Sequence, residues 1–216
     1  ILTDFTSQWE IFYMKMPFLT IFILFIFALT ARLHFSKKKE EDSSKAFWAR
    51  EVEANSTRMK DISNLDYIEI PFDQLPLHTE IDDVILAENI RIINDLKGEK
   101  ILNLTGLSNT DVKLMYGAPN ITRLSQYDLN YTNLVRAISK IGEYYYNNDM
   151  KEDATTILEY GILINTDVSL NYKLLTEIYS AQNRFDKIEN LRQKAAKLNS
   201  LSKDSIIKML DASFPI

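Results

Sequence analysis

The chain of 216 residues has no cysteine, two histidines, five glycines and five prolines. Without a thiol it forms no disulfide or thiolate metal site, and it has no cysteine that could carry a lipoprotein's lipid. His34 and His78 lie too far apart in the chain for a histidine-pair metal motif. Phosphate-binding glycine loops and a nucleophile elbow are also missing. The sequence therefore predicts no catalytic residues, no cofactor and no metal.

Basic residues are outnumbered by acidic ones, 25 to 30. The formal net charge is −5, and no basic stripe with interleaved aromatic residues is present. Nucleic-acid binding requires such a surface, so we expect no nucleic acid as partner. The abundance of Ile, Lys, Asn and Tyr is typical of a protein from an AT-rich bacterium.

One apolar run stands out near the beginning. Met16–Ala31 carries no charge and lies between Lys15 and Arg32. A bilayer core of roughly 30 Å needs ~20 apolar residues, and the flanking Ile11–Tyr13 and Leu33–Phe35 extend the run to that length. The pattern predicts a transmembrane helix that anchors the chain in a lipid bilayer. A cleaved signal peptide is the alternative, although no small-x-small cleavage site follows the run.

The charges around this run predict its orientation. Four basic residues follow it, and only Lys15 precedes it; the four are Arg32, Lys37, Lys38 and Lys39. Because basic flanks stay on the cytoplasmic side, we expect a single-pass inner-membrane protein with its C-terminal domain in the cytoplasm. An extracytoplasmic tethered domain is the alternative. The first residue is Ile, so Met14 or Met16 is a candidate start.

The predicted fold class is mainly α, with a small α or α/β cap segment between the anchor and a helical domain. We divide the chain into an anchor (1–36), a juxtamembrane helix or linker (37–64), the cap (65–124) and the helical domain (125–216). Five local patterns define the juxtamembrane segment and the cap. They are a helix over Ser43–Ile62, strands at Tyr67–Ile70 and Lys100–Leu104, a capping box at Thr79–Asp82, and an apolar helix face of Ile81, Ile85, Ile92 and Leu96. Strand, helix, strand suggests a two-stranded parallel sheet.

A second capping box, Ser108–Asp111, predicts a short helix that ends at Gly117. The loop Leu104–Asp111 leads into its first turn, where free backbone amides can bind an anion. Asp111 would repel a phosphate there, so we favour a capping role and keep ligand binding as the alternative.

From about Tyr131 the pattern becomes helical and repeats every 34 residues. The matched pairs are Ile141 with Leu175, Tyr145 with Tyr179, Gly161 with Ala195, and the turn residues Asp149 with Asn183. A final helix is expected over Ser202–Asp211. Small residues at Gly142 and Ala154 would let two antiparallel helices approach closely.

This stretch resembles the tetratricopeptide repeat, over roughly Leu134–Ser200. The first unit carries the family's pattern at Ile138, Ile141, Gly142, Tyr145, Ala154, Leu158 and Gly161. The second unit departs from it, because Ile188 and Thr176 replace the usual small residues. Thr166 stands where the first unit would have its closing Pro.

The resemblance implies a concave face that binds a peptide segment of a protein partner. Carried over by position, the partner-binding residues are Arg136, Ser139, Glu143, Tyr146 and Asn147 in the first unit and Leu170, Lys173, Glu177 and Ser180 in the second. Ser139 and Glu143 stand where a carboxylate-clamping groove has Lys and Asn, so a C-terminal carboxylate is not the expected ligand. The alternative is an ordinary solvated face of a small helical bundle.

We predict a membrane-anchored cytoplasmic scaffold that binds a protein partner through this face. A second hypothesis is an accessory subunit of a larger membrane complex, in which the anchor helix makes the contacts. A third is an enzyme or ligand sensor that uses the Leu104–Asp111 loop.

Overall fold

The computed structural model describes the backbone of residues 3–80 and 82–213 and the side chains of residues 19–38, 40–80 and 82–213. The side chains of Lys15, Met16 and Lys39, and the whole of Ile81, lie outside the described residues. The chain divides into two compact units, Ile1–Glu53 and Ala54–Ile216.

The first helix, α1, runs over Thr3–Ser56 and includes most of the predicted juxtamembrane helix, which ends at Ser56 and not at Ile62. Within the described residues it is the one helix long and apolar enough to cross a membrane, with a mean hydropathy of 1.9 over its best stretch. The Thr30 hydroxyl donates to the carbonyls of Ile26 and Phe27, both at 2.9 Å. Its polar group is thus satisfied within the helix.

The second unit contains seven further α-helices in its described part. They are α2 (Val84–Asp95), α3 (Asn109–Tyr116), α4 (Ile121–Asn147), α5 (Lys151–Leu163), α6 (Ser169–Ala181), α7 (Phe185–Ala195) and α8 (Lys203–Asp211), with a 3-10 turn at Ala118–Asn120. Between α1 and α2, the described residues 57–80 and 82–83 form no helix.

The predicted two-stranded α/β cap is wrong, since the described residues contain no strand; the chain is mainly α. Tyr67–Ile70 and Lys100–Leu104 do lie side by side, joined by one backbone bond from Ile68 N–H to the Ile101 carbonyl, 2.9 Å. The donors that a ladder needs are bound elsewhere. Leu102 N–H donates to a carbonyl of α4, at Tyr127, and Leu104 N–H to the Asp128 carboxylate. Lys100–Leu104 is therefore bonded to α4, and the two segments are not paired as strands.

The start of α2 also differs from the prediction. The side chain of Asp83, beyond the predicted Thr79–Asp82 box, caps this helix by accepting from Leu86 N–H at 2.8 Å. The buried face consists of Leu86, Ile90 and Ile93, whereas Ile85 is 64% exposed. By contrast, the Ser108–Asp111 capping box of α3 and its end at Gly117 are confirmed. Gly117 has φ 94° and lies against the Arg58 carbonyl, where a Cβ would collide.

From α4 onward, consecutive antiparallel helices pack in pairs. The first helices of successive pairs also meet, α4 with α6 and α6 with α8. Residues spaced 34 apart, Ile138, Tyr172 and Ile206, are all fully buried. At Gly142 a Cβ would overlap Leu158 of α5, so the helices approach as closely as the small residue predicted.

The turns that join each pair repeat too. Asp149 and Asn183 have φ of 63° and 57°, the left-handed conformation that ends many helices. After each of them, the next N–H donates to the carbonyl of the tyrosine five residues back, Tyr145 at 2.9 Å and Tyr179 at 2.8 Å. This packing is that of antiparallel helix pairs and is compatible with a helical repeat.

Candidate partner-binding face

The predicted partner-binding residues lie on α4 and α6, which are neighbours in the second unit. The Tyr146 hydroxyl donates to Oε2 of Glu177 at 2.7 Å and so connects the two helices. Nζ of Lys173 lies 3.9 Å from the other oxygen of Glu177. This hydrogen bond to Glu177, aided by burial, raises the pKa of Tyr146 above its ordinary value. We call the set Arg136, Glu143, Tyr146, Asn147, Lys173 and Glu177 the α4–α6 face.

Three predicted members do not belong to this set. Ser180, near the end of α6, is half-buried, and the other two are Ser139 and Leu170. Ser139 is 5% exposed, and its Oγ lies 2.8 Å from the Val135 carbonyl and 2.5 Å from Oδ1 of Asn171. Leu170 is half-buried and packs against the main core. Both side chains join α4 and α6 to their surroundings and offer little surface to a ligand.

The remaining members are accessible. Arg136 and Asn147 are exposed. Neither side chain has a polar partner among the residues that the structure describes. Glu143 forms an exposed pair with Lys140 at 2.9 Å. An exposed pair of this kind adds only ~0–1 kcal/mol, so a partner can replace it at little cost.

Sequence reasoning missed Lys151, although it touches the face. Its Nζ lies 3.5 Å from the centroid of the Tyr146 ring and 2.6 Å from the Tyr146 carbonyl. Lys151 comes two residues after Asp149 in the α4–α5 turn. This turn was the only feature of the sequence that could have indicated the contact between Lys151 and Tyr146.

The segment before α2 packs onto the helix pairs through polar contacts. Tyr145 donates its hydroxyl to the Pro76 carbonyl at 2.5 Å, and Tyr160 donates to the Glu69 carbonyl at 3.1 Å. Nε2 of His78 lies 2.9 Å from the carboxylate of Asp153 on α5. Burial raises the pKa of Tyr145 and of Tyr160 to about 12 in each case. These contacts hold the segment in place, and no group of three or more potential metal ligands occurs in the described residues.

In the Leu104–Asp111 loop most of the backbone amides already have an acceptor. Ser108 N–H donates to the Asp111 carboxylate at 2.9 Å, and Asp111 N–H donates to the Ser108 hydroxyl at 3.2 Å. Thr105 N–H donates to the Asn103 side chain at 2.9 Å. The loop also touches the α7–α8 connection, because a Cβ at Gly106 would collide with Asn199. The geometry is that of a capped helix start.

A cavity of about 400 Å³ lies on another side, between α5, α7 and the segment Pro71–Leu75. At its edge the Tyr179 hydroxyl donates to the carboxylate of Glu159, and Nζ of Lys187 lies 3.3 Å from the same oxygen. Burial of this carboxyl opposes its ionisation, but the two donors prevail, and the pKa of Glu159 lies below its ordinary value. No local pattern in the sequence predicts this cavity, because four separate stretches line it: Pro71–Leu75, α5, α6 at Tyr179, and α7.

Comparisons with known proteins give no family, since no family model, no curated protein and no solved structure matches the chain.

Proposed function

We propose that the chain is a membrane-anchored cytoplasmic scaffold that recruits a protein partner to the bilayer through the α4–α6 face of a tetratricopeptide-like repeat. The observation that carries the proposal is this face itself. Two neighbouring helices present a half-buried tyrosine surrounded by charged groups that have weak partners or none among the described residues. Protein interfaces place aromatic anchors among polar groups in the same way.

Two further observations support the proposal. The burial of Ile138, Tyr172 and Ile206 and the paired left-handed turns follow the 34-residue spacing of the repeat that the sequence resembles. Helix α1 supplies a segment of the length and hydropathy that a membrane anchor needs. In the proposed function the anchor sets the location, and the face selects the partner.

The interaction is tested by crosslinking the tagged full chain in its native membrane and identifying the copurifying proteins. The test variant is Arg136→Glu combined with Tyr146→Ala. Arg123→Glu is the matched control, since Arg123 is an exposed arginine on the same helix outside the face. We expect a soluble partner that is retained by the control and lost from the double variant.

Two other outcomes would contradict the proposal. A soluble partner that both variants retain would remove the face from the interaction. If only membrane proteins copurify, and replacing residues 16–31 by an unrelated apolar helix releases them, the chain is an accessory subunit that uses its anchor.

The cytoplasmic location of the second unit is tested separately. Since the chain has no cysteine, Ser205→Cys introduces a single thiol at an exposed position of α8. We expect an impermeant maleimide to label it only after the cells are permeabilised. Labelling in intact cells would place the unit outside.

A further inference from the structure

The cavity between α5, α7 and Pro71–Leu75 combines an apolar floor with a polar rim. Five buried residues contribute to the lining: Leu75, Tyr160, Ile162, Tyr179 and Leu191. Its volume of about 400 Å³ falls in the range of roughly 300–1,000 Å³ that small-molecule sites occupy. The cavity thus has the size and the apolar surface to hold the body of a small ligand.

The rim has more hydrogen-bond donors than it can use internally. Gln74, Asn190 and Lys194 line the cavity, and their side chains have no partner among the described residues. The lining contains a single carboxylate, that of Glu159, and it already accepts from Tyr179 and Lys187. Once the Lys187–Glu159 pair is formed, the ammonium group of Lys194 remains without a counter-charge in the lining. A ligand with acceptors and a negative charge is complementary to Lys194 and to the amide N–H groups of this rim.

Two larger cavities in the described part of the second unit lack this property. The one at the start of α2 is lined by four acidic residues, Glu80, Asp82, Asp83 and Glu88, and a single arginine, Arg91. The one between the two extended segments includes Asp66 and Glu69 beside one lysine, Lys197. Neither offers an excess of positive charge. A third cavity, beside His78, has Arg91 in its lining, but this guanidinium already pairs with Glu88 at 2.8 Å and Asp95 at 3.4 Å. We therefore assign the selection for an anion to the α5–α7 cavity.

We propose that the α5–α7 cavity is a binding site for a small carboxylate with an apolar body. The carboxylate accepts from Lys194 and from the side-chain amides of Asn190 and Gln74, and the body lies on the floor formed by Leu75, Tyr160 and Leu191. Hydrogen bonds between charged partners are stronger than neutral ones, so the carboxylate contributes most of the selectivity. This site goes beyond the proposed function, because the residues of the α4–α6 face do not line the cavity.

The test uses the full chain in lipid nanodiscs and two matched probes, 3-phenylpropionate and its neutral amide, 3-phenylpropionamide. Binding is measured by isothermal titration calorimetry, with empty nanodiscs as the blank for partition into lipid. We expect saturable binding of the acid and binding of the amide that is at least about tenfold weaker. Equal binding of both probes, or no saturable binding of the acid up to about 10 mM, overturns the proposal.

Two charge reversals locate the site. Lys194→Glu places a negative charge at the rim and is expected to weaken binding of the acid by about tenfold or more. Lys173→Glu, on the α4–α6 face, is expected to bind the acid like the wild type. Wild-type affinity of Lys194→Glu would exclude the site.

A milder variant tests whether weaker binding could result from a folding defect. Asn190→Ala removes an exposed amide, and we expect an affinity loss of about three- to tenfold with an unchanged thermal melting curve. The two proposals remain separable, because Lys173→Glu should affect only the protein partner and Lys194→Glu only the carboxylate.

Discussion

The helix pairs from α4 to α8 and the segment between Thr57 and Asn120 are stabilised in different ways. In the pairs, the backbone groups bond within each helix, and apolar residues at a fixed spacing fill the space between helices. The segment adds apolar residues such as Leu86 and Ile93 to the same core, but single polar side chains also link its backbone to distant residues. Asn120 donates to the carbonyls of Lys60 and Tyr116 at 2.8 and 2.7 Å, and Asn130 of α4 donates to the Lys100 carbonyl at 3.0 Å.

This difference determines what each region tolerates. A helix pair loses stability with the volume of apolar side chain that is removed, because the contact is distributed over many atoms. The segment loses stability when one amide disappears, because buried carbonyls are then left without a donor. Substitutions in the two regions should therefore differ in size and in how far their effects spread.

The largest effect is expected at Tyr172, the fully buried member of the 34-residue series. Tyr172→Ala removes the ring from the core and the hydroxyl from the Thr166 carbonyl, 3.0 Å away. We expect a loss of about 3–5 kcal/mol in the free energy of unfolding. Hydrogen exchange of the full chain in nanodiscs should show faster exchange across α4 to α8. Faster exchange in α6 alone would contradict cooperative packing of the helix pairs. The control is Lys173→Ala, at the exposed neighbouring residue.

A smaller and more local effect is expected at Asn120, which is 2% exposed. Asn120→Ala leaves the carbonyls of Lys60 and Tyr116 without this donor, at an expected cost of about 1–3 kcal/mol. Hydrogen exchange should rise near residues 57–65 and 113–120, while α6 and α7 stay protected. The exposed Asn147→Ala should leave both regions unchanged. If Asn120→Ala instead loosened α6 and α7, the two regions would form a single cooperative unit.

The same contrast explains how much of the fold the sequence could predict. Helical spacing and a 34-residue recurrence are local signals, and they predicted the pairs, the turns at Asp149 and Asn183 and the final helix. The strands at Tyr67–Ile70 and Lys100–Leu104 were wrong because the partners of Leu102 and Leu104 lie on α4, more than twenty residues away. No local pattern contains that information.

The site shows the same limit. Ser139 occupies a groove position by its place in the repeat, but Asn171 of the following helix pair lies against it, and the side chain is buried. The α5–α7 cavity depends on Pro71–Leu75 meeting two helices that begin about eighty and more than a hundred residues later. Periodicity predicts which helix a residue belongs to, but it does not predict which distant residue covers it.

A third prediction concerns the junction between the two regions, at Tyr160. Tyr160→Phe removes the hydroxyl that donates to the Glu69 carbonyl, and we expect a loss of about 1 kcal/mol at neutral pH. The loss of this hydrogen bond should appear as faster hydrogen exchange around residues 67–72. A similar change throughout α5 to α7 would show that the ring, and not the hydroxyl, is disturbed.

The pH dependence of this junction has a defined sign. Burial raises the pKa of Tyr160 to about 12, against roughly 10 in an unfolded chain. The folded state therefore favours the neutral phenol, and the stability that this supplies is complete below about pH 10 and is lost as the pH rises towards 12. Tyr160→Phe should reduce the alkaline fall in melting temperature relative to the wild type. If the melting temperature falls equally in the wild type and in Tyr160→Phe, the alkaline loss of stability is due to other buried tyrosines.

The smallest effect is expected at Tyr146, where a contact between helices lies at the surface. Tyr146→Phe removes the hydrogen bond to Glu177 but keeps the ring beside Lys151, and both partners of the lost bond are partly exposed. We expect a change of at most ~1 kcal/mol and no change in hydrogen exchange within α4 and α6. This residue therefore separates folding from recognition. If Tyr146→Phe keeps its stability but captures less of the protein partner, the hydroxyl acts in binding. If the stability falls as far as in Tyr172→Ala, Tyr146 belongs to the core, and the α4–α6 face has no aromatic anchor.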